Sequence, residues 1–247
     1  MTTNKQIQIV FNFDSTLVAI EGTFELAKRK GIDAKAIEAA RDSIIEGQEA
    51  FNQSFVRRFE QYRPSFSDIA WLAEAYYKAI VPEAKDVIAE LKKMGCQIHI
   101  VSSSYRPAIL KTARALGIEP FRVCAVDLEF DEVGNYQSFD DDNILTSIEG
   151  YKIVLAEIAK LGPVVYIGDS VRDLEVSQDV DLFVGFGGII ANKQVEQQSD
   201  TYIVSLKSLP AKIKELKENL EGNNHQSNSS YRIEASANDH QKTFWVC

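Results

Sequence analysis

The chain has 247 residues, enough to bury a core and to hold either one large domain or a domain with an insertion. Hydrophobic residues make up 45% and charged residues 26%, an ordinary balance for a water-soluble globular protein. A net charge of −9 argues against general nucleic-acid binding, because an acidic surface repels a phosphate backbone, though it leaves room for a small phosphate ester in a locally positive pocket.

No apolar run approaches the roughly 20 residues that span a bilayer, so no membrane role is expected. The polar start, Met1 to Gln8, does not read as a secretory leader. Cys96, Cys124 and Cys247 lie far apart without metal-ligand spacing. They read as two reduced core thiols and one exposed terminal thiol, and hence as a cytoplasmic setting.

The first element is the β-branched run Ile7-Gln8-Ile9-Val10-Phe11, a buried strand that stops at the polar Asn12-Phe13-Asp14-Ser15-Thr16. Helical patterns follow: one from Phe24, Leu26 and Ala27, one through Ala36, Ile37, Ala40, Ile44 and Ile45, and one carrying the stripe Phe51/Phe55/Phe59. Ile69 to Ile80 forms another helix. Pro82 opens the next, which Gly95 ends. Gln97 to Val101 is a second strand, followed by Ser102-Ser103-Ser104, then a helix from Pro107 to Leu116 closed by Gly117. Arg122 to Val126 is a short strand, and Leu128 to Tyr136 a hairpin around Glu132-Val133-Gly134-Asn135. A helix from Tyr151 to Leu161 leads to a third apolar strand, Val164 to Ile167, which ends at Gly168-Asp169-Ser170. A helix from Asp173, a strand at Leu182 to Gly185, a strand at Tyr202 to Val204 and a helix from Leu209 to Leu220 complete the series.

This alternation predicts an α/β fold: a Rossmann-like, doubly wound, mainly parallel sheet with an inserted helical cap. The expected division is a core of residues 1–20 and 79–221, a cap of 21–78 and a disordered polar tail of 222–247. Three polar clusters each follow an apolar strand: Asn12/Asp14/Ser15/Thr16, Ser102/Ser103/Ser104 and Asp169/Ser170/Asp173. Ligands of open parallel sheets bind beyond the carboxyl ends of the strands, so these clusters are expected to meet in one crevice.

In order and placement these clusters resemble the motifs of the haloacid dehalogenase superfamily. The family's Asp-x-Asp-x-Thr is matched by Asn12-Phe13-Asp14-Ser15-Thr16, its strand-end Ser or Thr by Ser102, its helix-start Lys by Lys152, and its Gly-Asp-x-x-x-Asp by Gly168 to Asp173. Within the superfamily the likeness is to phosphoserine phosphatases. It places Glu21 on a substrate-reading Glu, Arg58 on a substrate-carboxylate Arg and Ile45 on a capping apolar residue. The resemblance implies Mg²⁺-dependent hydrolysis of a small phosphorylated metabolite. Asp14 would be the general acid and base, with Ser102 and Lys152 on the phosphate oxygens. The side chain at position 12, the Asp14 backbone carbonyl and Asp169 would hold Mg²⁺, and Asp173 would support the site.

Three positions depart from the pattern. Asn12 stands where the family carries its nucleophilic aspartate; it is either an engineered trapping change or the mark of a natural phosphate-ester binder without turnover. Ser103 and Ser104 replace the two glycines of a Ser-Gly-Gly run, so Ser103 is a substrate-pocket candidate. Arg172 replaces an Asn, and could hold a phosphate or second anionic group or bridge to a surface carboxylate. His99 reads as a core residue, the Phe51/Phe55/Phe59 stripe as cap core, and Asp140-Asp141-Asp142 as a solvated loop.

Overall fold

The computed structural model describes residues 5–32, 35, 62–139 and 144–227. The expected helix through Ala36 to Ile45, the Phe51/Phe55/Phe59 stripe, Arg58 and the Asp140–Asp142 run lie outside the described residues.

Six parallel strands form one sheet. These are β1 (Gln8–Phe11), β2 (Gln97–Tyr105), β3 (Val123–Val126), β6 (Val164–Gly168), β7 (Leu182–Phe186) and β8 (Thr201–Ile203), in the spatial order β3-β2-β1-β6-β7-β8. A separate antiparallel hairpin, β4 (Leu128–Phe130) with β5 (Tyr136–Phe139), turns where the sequence places it, around Gly134. The helices are α1 (Gly22–Arg29), α2 (Phe66–Lys78), α3 (Ala84–Lys93), α4 (Arg106–Ala115), α5 (Ile148–Ala159), α6 (Val171–Leu174), α7 (Lys193–Gln198) and α8 (Leu209–Ser227). The doubly wound, mainly parallel sheet is the fold expected from the alternation of strands and helices.

The chain runs outward from β1 through β2 to β3, then returns to β6 on the other side of β1. The winding reverses between β1 and β6, which is where such sheets open a crevice at their carboxyl ends. β1 and β6 are buried along their full length, as central parallel strands covered on both faces must be. Ile9, Val10, Phe11, Val165, Tyr166 and Ile167 lie at the centre of the core. The core continues into α2 through Ile69, Leu72 and Tyr76, and α2 packs on α4. Ala27 and Tyr62 form a separate small cluster with Phe24 and Ile32.

Several boundaries differ from the sequence reading. β2 runs through the serines to Tyr105, because the sheet carries on past the apolar run: Tyr105 pairs with Val126 after a register shift. α6 starts at Val171, two residues before the expected Asp173, since Ser170 and Asp173 form a reciprocal capping box. α7 was not expected; Asn192 caps it by accepting from the Gln194 and Val195 amides. α8 extends to Ser227, past the expected boundary at Gly222; no proline stops it. Cys96 is a buried free thiol, but Cys124 is disulfide-bonded, against the expectation of two reduced core thiols. The cysteines therefore do not carry the cytoplasmic expectation. Among the described residues no helix is long and apolar enough to cross a membrane.

Candidate active site

The carboxyl ends of three neighbouring strands present the polar clusters together: Asn12 after β1, Ser102 to Ser104 at the end of β2, and Asp169 after β6. After Asn12 the chain folds tightly, with the amides of Thr16, Leu17 and Val18 all directed to the Phe13 carbonyl. The turn puts Ser15 at φ 52°, a left-handed conformation costly for a residue with a side chain. That strain is offset locally: Ser15 Oγ donates to Glu21 Oε1 at 2.5 Å, and the Ser15 amide donates to the Ile20 carbonyl.

Asn12 is buried, and its amide is used at both ends. Oδ1 accepts from the Phe13 amide at 2.7 Å, while Nδ2 donates to Asp169 Oδ1 at 3.1 Å and to Asp173 Oδ2 at 3.4 Å. Thr16 Oγ1 also donates to Asp169 Oδ1, at 2.8 Å. Asp173 is an orienting residue. Its Oδ2 accepts from the Asp169 and Ser170 amides and from Ser170 Oγ, and its Oδ1 accepts from the Tyr166 hydroxyl at 2.8 Å. Burial pushes the Asp169 carboxyl well above the ordinary carboxylate range, with the charges of Asp173 and Glu21 adding to the effect against the Thr16 and Asn12 hydrogen bonds.

Asp14 is half-buried, two residues beyond Asn12 in the loop that follows β1. The first amide of α1, that of Gly22, donates to its Oδ1 at 2.9 Å, and the hydroxyls of Tyr76 and Ser104 lie near enough to favour its charged form. Burial raises its proton affinity above the usual value; the Gly22 amide, the Tyr76 and Ser104 hydroxyls and the Arg172 charge pull the other way. A carboxyl so placed suits proton transfer. Tyr76 and Ser104 are themselves 2.6 Å apart. Tyr76, an edge-on neighbour of Phe13 at 4.8 Å between ring centroids, ties α2 to this loop.

The cations fall differently from the sequence reading. Lys152, expected at the phosphate, lies on the fifth residue of α5 rather than at its start. Its side chain is 46% exposed, with Nζ 3.7 Å from Asp179. Arg172 turns inward instead. Nη1 donates to Ser103 Oγ at 3.0 Å, and the guanidinium lies 5.4 Å from the centre of the Tyr151 ring. Burial works against its charge, but its neighbours Tyr151, Asp173, Tyr166 and Glu21 outweigh that and hold its pKa above the ordinary arginine value.

Hydrogen bonds thus join Asn12, Asp169 and Asp173, with Asp14 on the same loop as Asn12 and Arg172 bonded to Ser103, while Ser102 Oγ accepts from the Ser104 amide. Ile45 and Arg58 lie outside the described residues. Sequence reasoning placed Ser104 in a strand-end cluster but missed Tyr76 and Tyr151, which lie on helices read for their apolar periodicity alone. The available signal was a hydroxyl at positions where the pattern asks only for bulk.

With an amide at position 12, the described residues contain no group of three His, Cys, Asp or Glu able to hold a metal. The oxygens of Asp169 and of the Asp14 backbone fit a hard divalent cation, which would relieve the buried Asp169 charge. At position 12 such an ion would meet an N–H donor rather than a carboxylate.

A family model described as haloacid dehalogenase-like hydrolase matches residues 9–178. The chain belongs to that family. It is similar to the phosphoserine phosphatase of Rattus norvegicus, 27% identical over 210 residues that cover 84% of this chain and 93% of the relative. In structure it resembles a phosphoserine phosphohydrolase-like protein from Francisella tularensis, with TM-score 0.73, 22% identity, and coverage of 84% of this chain and all of the other. It also resembles a substrate-bound phosphoserine phosphatase complex, with TM-score 0.67 and 23% identity over 83% of this chain and 95% of that one. This member of the hydrolase family therefore shares its overall fold with phosphoserine phosphatases.

Proposed function

We propose that this protein is built to bind a small phosphomonoester, with phosphoserine or a similar amino-acid phosphate the leading class, and that Asn12 keeps its hydrolytic chemistry impaired. The observation that supports the reading is the Asn12 amide held between Asp169 and Asp173 where the sheet reverses its winding, with a proton-retentive Asp14 on the same loop and Ser102 on the neighbouring strand β2.

In the proposed reaction a carboxylate at position 12 attacks phosphorus, and the leaving oxygen takes a proton from Asp14. Asp14 then takes a proton from the water that opens the aspartyl-phosphate. A neutral amide cannot take the first role, since its nitrogen lone pair is delocalised and Asn12 is already engaged at both ends. Ser102 would orient phosphate oxygens. Glu21, with Arg58 and Ile45 from the cap, would read the rest of the ligand. The carboxylate introduced by Asn12→Asp, Asp169 and the Asp14 carbonyl would hold Mg²⁺, and Asp173 would support them. When bound, Mg²⁺ would offset the negative charge gathered on the phosphoryl oxygens and carboxylates.

The division into a core of residues 1–20 and 79–221 and a cap of 21–78 belongs to the same proposal. Its support is a pair of hydrogen bonds, Ala19 N to the Ala79 carbonyl at 2.8 Å and Val81 N to the Leu17 carbonyl at 3.0 Å, which set the two connections side by side.

A second reading, a pseudophosphatase that binds without turnover, draws support from how well the Asn12 amide is accommodated between Phe13, Asp169 and Asp173. Both readings require ligand binding by the chain as it stands. Calorimetric titration with phosphoserine and, separately, serine tests this: saturable binding of the phosphorylated compound alone is expected. Equal binding of the two, or none, contradicts the phosphomonoester reading.

A further inference from the structure

We propose that Arg172, braced by Ser103 and Tyr151, is the cation that grips the phosphate in this site, and that Lys152 does not serve it. The proposal rests on the phosphomonoester reading above.

Two cations compete for this role. The ammonium of Lys152 is directed to the outer turn that carries Asp179, and its side chain is half exposed. Arg172 is carried by α6, immediately after β6, and reaches across to β2. Its Nη1 donates to Ser103 Oγ at 3.0 Å and its Nη2 approaches the Tyr151 hydroxyl at 3.5 Å, while the Tyr151 ring flanks the guanidinium. The Arg172 side chain thus spans the ends of β2 and β6, the two strands that flank β1, whose end carries position 12. Its Nε is shielded from solvent, and the group lies within electrostatic reach of Asp14.

The chemistry suits the position. A guanidinium offers several N–H donors in a rigid planar fork that matches phosphate oxygens, and it tolerates loss of water better than an ammonium does. Ser103 and Tyr151 fix the plane of that fork before any ligand arrives, which lowers the ordering cost of binding. The replacements at 103 and 172 also belong together. A glycine at 103 has no hydroxyl to receive the Arg172 fork, and an asparagine at 172 is too short to use one.

The test is calorimetric titration of the full chain with inorganic phosphate, alongside Arg172→Gln, Arg172→Lys, Lys152→Ala and Ser103→Gly, with the thermal unfolding of each recorded. Arg172→Gln should weaken phosphate binding by about ten-fold or more, as loss of a charged hydrogen-bond donor does, and Arg172→Lys should recover part of it. Lys152→Ala should leave the affinity unchanged. Ser103→Gly should weaken it while the unfolding temperature holds, which a purely structural role would not produce. Because a buried arginine variant can fail to fold, the unaltered chain supplies a second readout: the Arg172 Nε–H resonance should shift as phosphate is added. Loss of affinity in Lys152→Ala with Arg172→Gln unaffected, or phosphate binding without a shift at Arg172, overturns the proposal. A chain that binds phosphoserine but shows these contrary results loses only this assignment; a chain that binds neither ligand loses the phosphomonoester reading with it.

Discussion

At position 12 a single amide meets two conflicting demands. The buried Asp169 and Asp173 carboxylates accept hydrogen bonds, and Asn12 Nδ2 donates to both; the reaction proposed above needs a nucleophilic oxygen, which an amide does not supply. Residue-scale burial also acts far from the site. His99, buried in β2 with Nε2 2.9 Å from Gln8 Oε1 and 3.1 Å from Arg122 Nη1, has its pKa lowered to about 4 by burial and then by the Arg122 charge. Its folded pKa lies below the ordinary 6.5, so its contribution to stability is complete above pH 6.5 and is lost as pH falls toward about 4. Denaturant unfolding across that window should therefore show a loss approaching 1.4 kcal/mol per pH unit from this group, on the order set by linkage. The variant His99→Gln should lack that component; parallel pH profiles for the two proteins would refute the assignment. The reading of His99 as a core residue was available from its apolar strand, whereas its guanidinium neighbour, distant in sequence, was not.

Among the elements, α1 and α2 are joined by ion pairs at Asp68. Asp68 receives Arg29 Nε at 2.8 Å and Lys30 Nζ at 2.6 Å, and also closes the capping box with Ser65. The Lys30, Ser65 and Arg29 bonds together hold its carboxyl well below the usual range against its partial burial. Asp68→Ala should cost about 1–2 kcal/mol, most of it from the lost cap, and should speed amide exchange in α1 and the first turn of α2 while β1 and β6 stay protected. Unchanged exchange in both helices would contradict this. A second element-scale prediction concerns Gly22, where a methyl group would collide with the Tyr76 hydroxyl. Gly22→Ala should destabilise by about 1–3 kcal/mol through overpacking, and Tyr76→Phe in the same chain should recover part of that loss. Additive losses in denaturant melts would show that the two residues do not meet. The sequence announced α2 by its periodicity but gave no reason to place Tyr76 at a functional carboxylate. A stripe at helical spacing specifies a buried face, not what lies beneath it. β2 was read short for the same reason, because serines carry no strand periodicity and only pairing with β3 extends it.

Taken as a whole molecule, the sheet converts separate sequence motifs into one crevice by reversing its winding between β1 and β6. That much was legible, because apolar runs ending in polar clusters mark strand ends, and strand ends are where such sheets bind ligands. The placement of the two cations was not. Lys152 matched a motif by position, but a lysine one turn into a helix can face outward, and only the packing of α5 showed that it does. Arg172 looked equivocal in sequence because its brace, Ser103, lies on another strand.

The most direct test of the account is phosphate release by Asn12→Asp from a panel of phosphomonoesters that includes phosphoserine. The account predicts release that requires Mg²⁺, exceeds that of the unaltered chain by orders of magnitude, and disappears when Asp14→Ala is added. If Asn12→Asp folds and binds phosphoserine yet releases no phosphate with Mg²⁺ present, position 12 is not what holds the chemistry back, and the catalytic part of the account is wrong.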